Sequence, residues 1–433
     1  MIKARFLMSN LEGGEYDGLL RRAYPGKRLS QIKTRINGAI NQFLTVFNCS
    51  EDTEISIFSA PGRTELGGNH TDHQNGRVLA AAVDMDILAC AKPNGTGIIR
   101  INSEGFGDIE VNLADIEPRH REKNTAAALV RGIGAMCLKA GCRVEGFDAY
   151  LTSDLPVGAG LSSSAAFEIL IGVIINSFFN EGNITAEEIA KAGQYAENTY
   201  FGKPCGLMDQ LVSAVGGIAA IDFYDADNIK MNRLDFSFES KGYELCIVNT
   251  GSSHEDLSHE YAAIPYEMEM VASYFDKKLL SQVSREAFFQ ALPELRKSCG
   301  DRAVLRAFHF FGDTARVEAK VKALLEEDID SFLELVCESG HSSCMYLQNV
   351  LMPGSSRHQN MAVALATADY LLGGKGACRV HGGGFAGAIQ AYVASDILES
   401  FISGMERIFG KGACVKLNIR YLGGLNLLEQ EDI

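Results

Sequence analysis

The sequence predicts an α+β protein of two closely packed domains, and three observations support this. The chain has 433 residues, beyond the size at which a single hydrophobic core keeps growing. Strand-like and helix-like segments come in groups rather than in strict alternation, which is typical of α+β folds. The chain has no long Pro/Ser linker, low-complexity tract or internal repeat. We therefore expect domains at 1–216 and 217–433, with a ligand site between them.

The first domain opens with an N-terminal arm or short helix and then a longer helix at 31–47, where apolar residues recur at spacings of three and four. Asn94-Gly95 and Glu104-Gly105 supply turns between short apolar strands. The string Thr185-Ala186-Glu187-Glu188 is a capping box that opens a helix. In order, we expect strands at 55–58, 78–92, 98–102 and 109–113, a helix at 125–141, a strand at 144–152, and helices at 161–179 and 185–200.

The second domain is predicted to begin at Gly217. Strands near 218–223 and 244–249 come first. Several amphipathic helices between about 266 and 370 follow. A strand, a glycine-rich loop and another strand complete the domain, and the last strand can return to the first domain.

Composition excludes several classes of function. The net charge of −15 argues against nucleic acid or an anionic membrane as the main partner. The eleven cysteines include no C-x-x-C pair, the pattern of reduced thiols in a cytosolic protein. We find no signal peptide and no apolar run of about 18 residues. These features predict a cytoplasmic protein without a membrane span.

The most informative segment runs from Ala60 to His73. It contains an Arg, two His, an Asp, an Asn and three Gly, which no hydrophobic core requires. Apolar alternation precedes it and an apolar run follows, so we expect a loop at the mouth of a sheet, where polar groups converge on a ligand. A solvated turn is one alternative. A zinc hydrolase using His70, Asp72 and His73 is another, although three ligands this close rarely wrap one zinc ion.

A second glycine-rich segment, from Leu155 to Ala166, joins a strand to a helix. The first turn of that helix offers unpaired N–H groups and the positive end of the helix dipole, which suit a phosphate group. The alternative is a glycine turn with serine as the helix cap. No P-loop motif is present and the segment has no Lys, so Mg²⁺ is the expected counter-ion.

Two weaker signals complete the pattern. The loop Gly382–Gly387 lies between strand-like segments, where consecutive glycines indicate either a hairpin turn or the close approach of a backbone or ligand. Glu197 and Asp209 flank a short polar segment. Composition and spacing alone favour a surface acid for Glu197 and a helix N-cap for Asp209.

Taken together, these segments resemble the GHMP small-molecule kinases and, within that family, the galactokinases. The likeness runs from about residue 30 to about residue 425. Its most specific element is the string Cys205-Gly206-Leu207-Met208-Asp209-Gln210. The other matching segments are Pro61 to Asp72, Pro156 to Ala166, Asn249 to Tyr261, Gly382 to Gly387 and, more loosely, Glu338 to His341.

The resemblance implies a fold and a reaction. The fold is a ribosomal protein S5 domain 2-like N-terminal domain and a ferredoxin-like C-terminal domain, with the active site in the cleft between them. The reaction is the ATP- and Mg²⁺-dependent phosphorylation of the anomeric C1 hydroxyl of α-D-galactose to galactose 1-phosphate. We expect a monomer or weak homo-oligomer whose partners are a small-molecule sugar and ATP.

The resemblance also implies roles for individual residues. Asp209 orients or deprotonates the anomeric hydroxyl, and Arg63 keeps Asp209 ionised and stabilises the transferring phosphoryl group. Ser164 and Glu197 hold Mg²⁺ against the ATP phosphates. The residues implied in sugar binding are Asn69, His70, Asp72, Gly206 and Tyr261. The residues implied in ATP binding are Gly158, Ala159, Gly160, Leu161, Ser162, Ser163 and Ser164.

Four departures from the family pattern concern the sugar. The family has Glu where this chain has Asn69, and Asn where it has Glu65; His73 replaces a Tyr, and Ile264-Pro265 replaces a paired Arg. A Glu facing a C6 carboxylate would be repelled by about 4 kcal/mol at ~4 Å in an effective dielectric of ~20, and Asn69 removes that repulsion. A C6-altered or related sugar, such as galacturonate or N-acetylgalactosamine, is therefore an alternative substrate.

A non-enzymatic sugar and ATP sensor is an alternative of another class. Galactokinase-like sensors lack part of the residues after the serine run, whereas Ser164-Ala165 is intact in this chain. The resemblance therefore favours an enzyme.

Overall fold

A computed structural model describes residues 1–156, 158–225, 228–251, 257–385 and 387–429 of the chain. Parts of three predicted segments lie outside the described residues. These are Val157 of the phosphate loop, 252–256 of the segment before Tyr261, and Ala386 of the late glycine loop.

The strands form a large and a small sheet. In chain order they are β1 (Ile2–Lys3), β2 (Glu54–Gly67), β3 (Arg77–Pro93), β4 (Ile98–Ser103), β5 (Gly107–Asn112), β6 (Phe147–Ser153), β7 (Ile218–Asp222), β8 (Lys230–Leu234), β9 (Tyr243–Asn249), β10 (Gly376–His381), β11 (Ala388–Ala394), β12 (Cys414–Leu417) and β13 (Leu425–Asn426).

The helices cover the sheets and fill the space between them. In chain order they are α1 (Ala4–Gly13), α2 (Asp17–Ala23), α3 (Leu29–Val46), α4 (Ala126–Lys139), α5 (Ser163–Phe179), α6 (Ala186–Tyr195), α7 (Met208–Val215), α8 (Ser258–Ser273), α9 (Arg285–Gln290), α10 (Leu292–Ser298), α11 (Asp301–Leu325), α12 (Ile329–Ser342), α13 (Asn360–Leu372) and α14 (Leu398–Phe409). Within the described ranges, no helix combines the length and apolarity needed to cross a membrane.

The large sheet has the order β1-β2-β3-β6-β4-β5, with β13 paired to β2 and β7 and β8 continuing from β3. Its β4–β6 pair is parallel and its other pairs are antiparallel. The small sheet has the order β10-β11-β9-β12 and is antiparallel throughout. Strands and helices grouped in this way confirm the predicted α+β class.

Several predicted elements are confirmed. The apolar spacing at 31–47 forms α3, which buries Ile32, Ile36 and Ile40. The capping box at Thr185 is present, with Thr185 and Glu188 bonded reciprocally at the start of α6. The helix predicted at 161–179 is α5, in which 12 of 17 residues are buried. Because α5 is embedded in the core along its length, its N-terminus is held firmly at the site described below.

The predicted loop at 60–73 is wrong in its first half. Strand β2 continues through Pro61, Gly62 and Arg63 to Gly67, and it remains paired with β3. Register shifts between Pro61 and Arg63 and between Glu65 and Gly67 accommodate the residues that usually interrupt a strand. Arg63 therefore projects from a sheet, a more rigid support than a loop.

The large sheet extends beyond the boundary predicted at 216 and 217. Strand β7 pairs with β3, with Ile218 opposite Ala81, and β8 pairs in turn with β7. Near the C-terminus, β13 returns to pair with β2 at Ser59. The change from the large sheet to the small one therefore comes after Leu234, because backbone hydrogen bonds bind 218–234 to the first sheet.

Candidate active site

Arg63 and Asp209 form a two-pronged ion pair at the centre of the site. Arg63 donates from Nε to Asp209 Oδ1 at 2.6 Å and from Nη2 to Oδ2 at 2.8 Å, the arrangement in which arginine holds a carboxylate most strongly. Burial alone raises the pKa of Asp209, but the charge and hydrogen bonds of Arg63 and the hydroxyl of Ser162 bring it below its ordinary value. Asp209 is therefore an ionised carboxylate at neutral pH.

The interpretation of Asp209 as a helix cap is wrong. Helix α7 begins at Met208, so that Leu207 occupies the cap position and Asp209 lies inside the first turn. The carboxylate points to Arg63 rather than to the helix backbone. A negative charge in the first turn of a helix is also favoured by the helix dipole.

The loop between β6 and α5 contacts the same ion pair. Arg63 Nη1 donates to the Gly160 carbonyl at 2.5 Å, and Ser162 Oγ donates to Asp209 Oδ2 at 2.5 Å. Gly158, Gly160 and Ser162 have φ values of 75°, 71° and 55°, the left-handed region that favours glycine. Ser162 precedes α5, yet in the described part of the chain no side chain caps this helix. Its first N–H groups thus lack a side-chain acceptor, as in sites that bind anions.

His381 supports this loop from the small sheet, and the sequence analysis did not single it out. Its Nε2 accepts the backbone N–H of Glu65 at 3.2 Å and lies 3.0 Å from Thr64 Oγ1. Because Nε2 is an acceptor and burial lowers the pKa of His381 well below its ordinary value, the single ring proton lies on Nδ1. Nδ1 faces the backbone at Ala159 and Gly160.

Glu197 is buried, with 4% exposure, so its interpretation as a surface acid is wrong. It lies in a π-helical turn, Ala196–Phe201, that continues α6 inward. Its Oε1 lies 3.5 Å from Ser164 Oγ, and its Oε2 accepts from Gln210 Nε2 at 3.1 Å. The predicted pair of a hydroxyl and a carboxylate is therefore brought together beside the start of α5.

Two further ionisable residues flank Glu197, and the sequence analysis missed both. Gln210 Nε2 also donates to Glu168 at 3.0 Å, and burial together with the charge of Glu197 raises the pKa of Glu168 well above its ordinary value. Lys203 Nζ lies 3.3 Å from Glu197 Oε1. One signal was available, because Glu168 is the single charged residue of α5 and stands within its apolar run Ala165–Ile175.

A cleft of about 1150 Å³ opens next to these residues. Asp72, Gly206 and Tyr261 contribute to its walls. A Cβ atom at Gly206 would lie 1.8 Å from Asp72 Oδ2, so the carboxylate takes the space that any larger residue would fill. Burial and the negative charge of Asp209 raise the pKa of Asp72 to about 6.

Gly383, Gly384 and Phe385 of the late glycine loop pack against Tyr261, which lines the cleft. This loop follows strand β10 of the β10–β11 hairpin, as the interpretation of a hairpin turn requires. Its backbone is also approached closely, by the ring of Tyr261, so the second interpretation applies in part. Tyr261 donates from its hydroxyl to the Gly384 carbonyl at 2.8 Å, and its ring meets Phe385 edge-on at 5.4 Å. A Cβ atom at Gly383 would lie 2.6 Å from the Tyr261 ring. Glycine is therefore required here by close packing.

His70 and His73 are bonded to each other rather than aimed at a common point. His70 Nδ1 lies 3.1 Å from His73 Nε2, and His70 Nε2 lies 3.0 Å from the Gly383 carbonyl. Burial lowers the pKa of His70 to about 3 and that of His73 to about 4, so both rings are neutral at pH 7. The described residues contain no group of three or more metal-ligating side chains, which gives the zinc hydrolase alternative no support.

Asn69 is fully buried behind the cleft. Its Nδ2 donates to Glu65 at 3.2 Å and to the Gly382 carbonyl at 2.7 Å, and its Oδ1 accepts from Asn349 at 2.9 Å. Glu65 in turn is paired with the buried Arg379. In this conformation Asn69 has no polar atom left for a sugar hydroxyl.

Known proteins with a similar sequence give this geometry a context. Residues 41–93 match the galactokinase galactose-binding signature, and residues 124–217 match the GHMP kinases N terminal domain. The galactokinase of Glaesserella parasuis serovar 5 (strain SH0165) is 31% identical over 346 residues, covering 79% of this chain and 86% of that protein. The galactokinase of Streptomyces coelicolor is 29% identical over 355 residues, covering 82% and 88%.

Solved structures agree with these relatives. The galactokinase of Lactococcus lactis, solved in complex with galactose, has a TM-score of 0.75 and 25% identity, covering 89% of this chain and 97% of that chain. The mevalonate kinase of Methanococcus jannaschii has a TM-score of 0.57 at 15% identity, covering 84% and 98%, which is a likeness of fold alone. The two-sheet α+β architecture is therefore shared with GHMP kinases.

Proposed function

The chain belongs to the galactokinase family of GHMP kinases, and we propose that this sugar kinase transfers the γ-phosphoryl group of ATP to the anomeric C1 hydroxyl of α-D-galactose. The observation that carries the proposal is the ion pair of Arg63 and Asp209, bonded through Gly160 and Ser162 to a loop with the features of an anion site. A carboxylate for the acceptor hydroxyl and a binding surface for phosphate thus adjoin each other, as phosphoryl transfer requires.

Asp209 acts on the acceptor hydroxyl. Because its pKa is lowered, it is a weak base toward a free alcohol and fully ionised at neutral pH. It therefore accepts a hydrogen bond from the C1 hydroxyl in the bound sugar and takes the proton only as the new P–O bond forms. Arg63 holds the carboxylate in orientation and contributes positive charge near the transferring phosphoryl group.

The ATP phosphates bind the N–H groups of residues 158–164 at the start of α5. The donor set next to them fits Mg²⁺, since the Ser164 hydroxyl and the Glu197 carboxylate are hard oxygen ligands 3.5 Å apart. In this structure the ammonium group of Lys203 lies 3.3 Å from Glu197, so a positive charge already contacts this carboxylate. Bound Mg²⁺ would neutralise charge on the phosphates, and Gln210 holds Glu197 in the orientation this needs.

The sugar binds in the cleft between Asp72, Gly206 and Tyr261. The related galactokinase solved with galactose supports this sugar. Asp72, as a carboxylate, accepts hydrogen bonds from sugar hydroxyls, and the absence of a side chain at Gly206 lets the sugar ring approach. His70, bonded to the Gly383 carbonyl, orients this wall of the cleft.

A second candidate substrate is a galactose derivative altered at C6, such as galacturonate, or the related N-acetylgalactosamine. The observation in its favour is that Asn69 carries no charge and that the nearby carboxylate of Glu65 is neutralised by Arg379. The repulsion that a Glu at position 69 would exert on a C6 carboxylate is therefore absent.

The test is a panel of sugars assayed with ATP and Mg²⁺. We expect rapid turnover of galactose and slow turnover of galacturonate and N-acetylgalactosamine, with the product identified as the 1-phosphate by ³¹P NMR. Asp209→Asn should lower kcat by roughly 10²–10⁴ while ATP still binds. Negligible turnover of galactose beside rapid turnover of another sugar would overturn the proposed substrate, and no turnover of any sugar would overturn the kinase.

A further inference from the structure

We propose that Lys203 contacts the phosphate groups of the bound nucleotide and supplies positive charge that the phosphate loop itself lacks. The inference rests on the proposed kinase function. It assigns a nucleotide-binding role to a residue outside that loop.

Lys203 lies close to the expected phosphate site. Lys203 lies on the wall of the large cleft, and its Nζ is 3.3 Å from Glu197 Oε1. The same oxygen atom faces Ser164 Oγ at the start of α5. The ammonium group is thus held beside the N–H groups that are expected to meet the phosphates.

The Lys203 side chain is largely exposed, and the backbone on either side of it is constrained. The Lys203 side chain is 64% exposed, whereas Glu197 is 5% exposed. Gly202 has a φ of 87°, and Pro204 restricts the backbone on the other side. The Lys203 side chain can therefore turn from Glu197 toward a phosphate, and in doing so it gives up the ion pair to Glu197.

The Lys203 ammonium group is a positive charge on the wall of the cleft, beside Glu197 and the start of α5. The loop at 158–164 has no basic residue, so a bound triphosphate needs cations from elsewhere.

A second lysine lies on the same wall. Lys123 packs against Gly202, where a Cβ atom would lie 2.4 Å from its Cε. Lys123 also lines the cleft, and in the part of the chain that the structure describes it forms no ion pair. Although the protein has a net charge of −15, Lys123 and Lys203 give this wall of the cleft a local positive surface that fits an anion.

A purely structural role would have a different signature. If Lys203 only neutralised Glu197, its removal would leave a more negative pocket and would strengthen the binding of a divalent cation. If it binds phosphate, its removal weakens nucleotide binding even when no metal is present. A more negative pocket also repels the phosphates, so metal-free ATP is titrated in the Glu197→Gln background as well, where the loss of Lys203 leaves no unpaired carboxylate at that position.

The experiment measures the Kd of ATP in EDTA by isothermal titration for the full-length wild type, Lys203→Met, Lys203→Arg, Lys191→Met, Glu197→Gln and Lys203→Met/Glu197→Gln. Lys191 lines the same cleft but is paired with Glu187, so its substitution is a matched control for loss of one charge. Circular dichroism checks that each variant is folded. Adenosine serves as the ligand without phosphate.

We expect Lys203→Met to weaken metal-free ATP binding by about tenfold to a hundredfold, with Lys203→Arg close to wild type. Lys191→Met and the binding of adenosine should change little. The inference is overturned if Lys203→Met binds metal-free ATP as wild type does, if the loss disappears in the Glu197→Gln background, if Lys203→Met and Lys191→Met weaken binding equally, or if adenosine weakens in parallel. Failure of the wild type to bind metal-free ATP would also overturn the inference, whereas failure to bind ATP in the presence of Mg²⁺ would overturn the proposed function.

Discussion

Asn69 donates its side-chain amide to the carboxylate of Glu65 at 3.2 Å in a fully buried pocket behind the cleft. The galactokinase pattern has Asn at the position of Glu65 and Glu at the position of Asn69, so the two residue types are exchanged in this chain. Arg379 lies against Glu65 and also bonds Ser339 at 3.1 Å. The exchange therefore keeps one carboxylate and one amide in the pocket, with the charge moved next to an arginine.

This relationship predicts the effect of Asn69→Glu. The variant brings a second carboxylate against Glu65, whose own charge is already paired with Arg379. We expect a loss of about 3–5 kcal/mol in the free energy of unfolding, the usual cost of an uncompensated buried charge. Urea denaturation followed by circular dichroism measures it at pH 7.

The double exchange Glu65→Asn/Asn69→Glu is the matched control. It restores one carboxylate and one amide, so its loss of stability should be clearly smaller than the sum for the two single variants. It also provides a folded protein in which a carboxylate at position 69 can be tested for discrimination against galacturonate. Additive losses would contradict the idea that the two residues act as a pair.

Asp72 predicts a pH dependence for sugar binding. Its pKa is raised to about 6, first by burial and then by the charge of Asp209. The ionised carboxylate, which accepts hydrogen bonds from sugar hydroxyls, therefore predominates above pH 6 and is lost as the pH falls through 6. We expect the KM for sugar to rise below about pH 6, measured at saturating ATP between pH 5 and 8.

Two variants assign this titration. Asp72→Asn should remove the step, because the amide does not titrate. Asp209→Asn removes the neighbouring negative charge, so the step in sugar affinity should move to lower pH when binding is measured by calorimetry. Since the folded-state pKa of Asp72 lies above its ordinary value, ionisation of Asp72 costs stability, and Asp72→Asn should stabilise the fold more at pH 7 than at pH 4. If the pH-dependent step in the KM for sugar persists in Asp72→Asn, another group is responsible for it.

Much of the fold could be predicted because local signals and tertiary packing agree. The spacing of Ile32, Ile36 and Ile40 and the capping box at Thr185 are local features, and both were confirmed. The course of β2 through Pro61 and Gly62 was not predictable, because cross-strand bonds to β3 override the turn preference of those residues. The sheet membership of 218–234 likewise depends on long-range pairing.

The site was predicted where residues cluster in sequence and missed where they converge in space. The family string contained Asp209 and Gln210, but spacing could not reveal that Glu197 is buried by a π-helical turn. His381 lies far along the chain from the loop at Ala159 and Gly160 that it supports. Its role follows only from the contact of the small sheet with that loop.

Gly206 predicts a selective loss of sugar binding. A Cβ atom there would lie 1.8 Å from Asp72 Oδ2 and 2.4 Å from its Cγ, so Gly206→Ala displaces the carboxylate. We expect the KM for sugar to rise about tenfold to a hundredfold, the value of a hydrogen bond to a charged group, with the KM for ATP unchanged. Gly38→Ala, where no atom lies within 4 Å of the new Cβ, is the control. Equal changes in both KM values would indicate a general distortion of the site.

His381 predicts the opposite selectivity. Its Nε2 accepts from Glu65 N–H at 3.2 Å, and its Nδ1 proton faces the backbone of Ala159 and Gly160. In His381→Asn the amide nitrogen can take the place of Nδ1 beside the loop, whereas in His381→Gln the amide oxygen replaces Nε2 and no N–H group faces the loop. We expect the KM for ATP to rise several-fold in the Gln variant and less in the Asn variant, with the KM for sugar unchanged, as measured by initial rates. The reverse order would show that the bond to Glu65, rather than the contact of Nδ1 with the loop, positions the nucleotide.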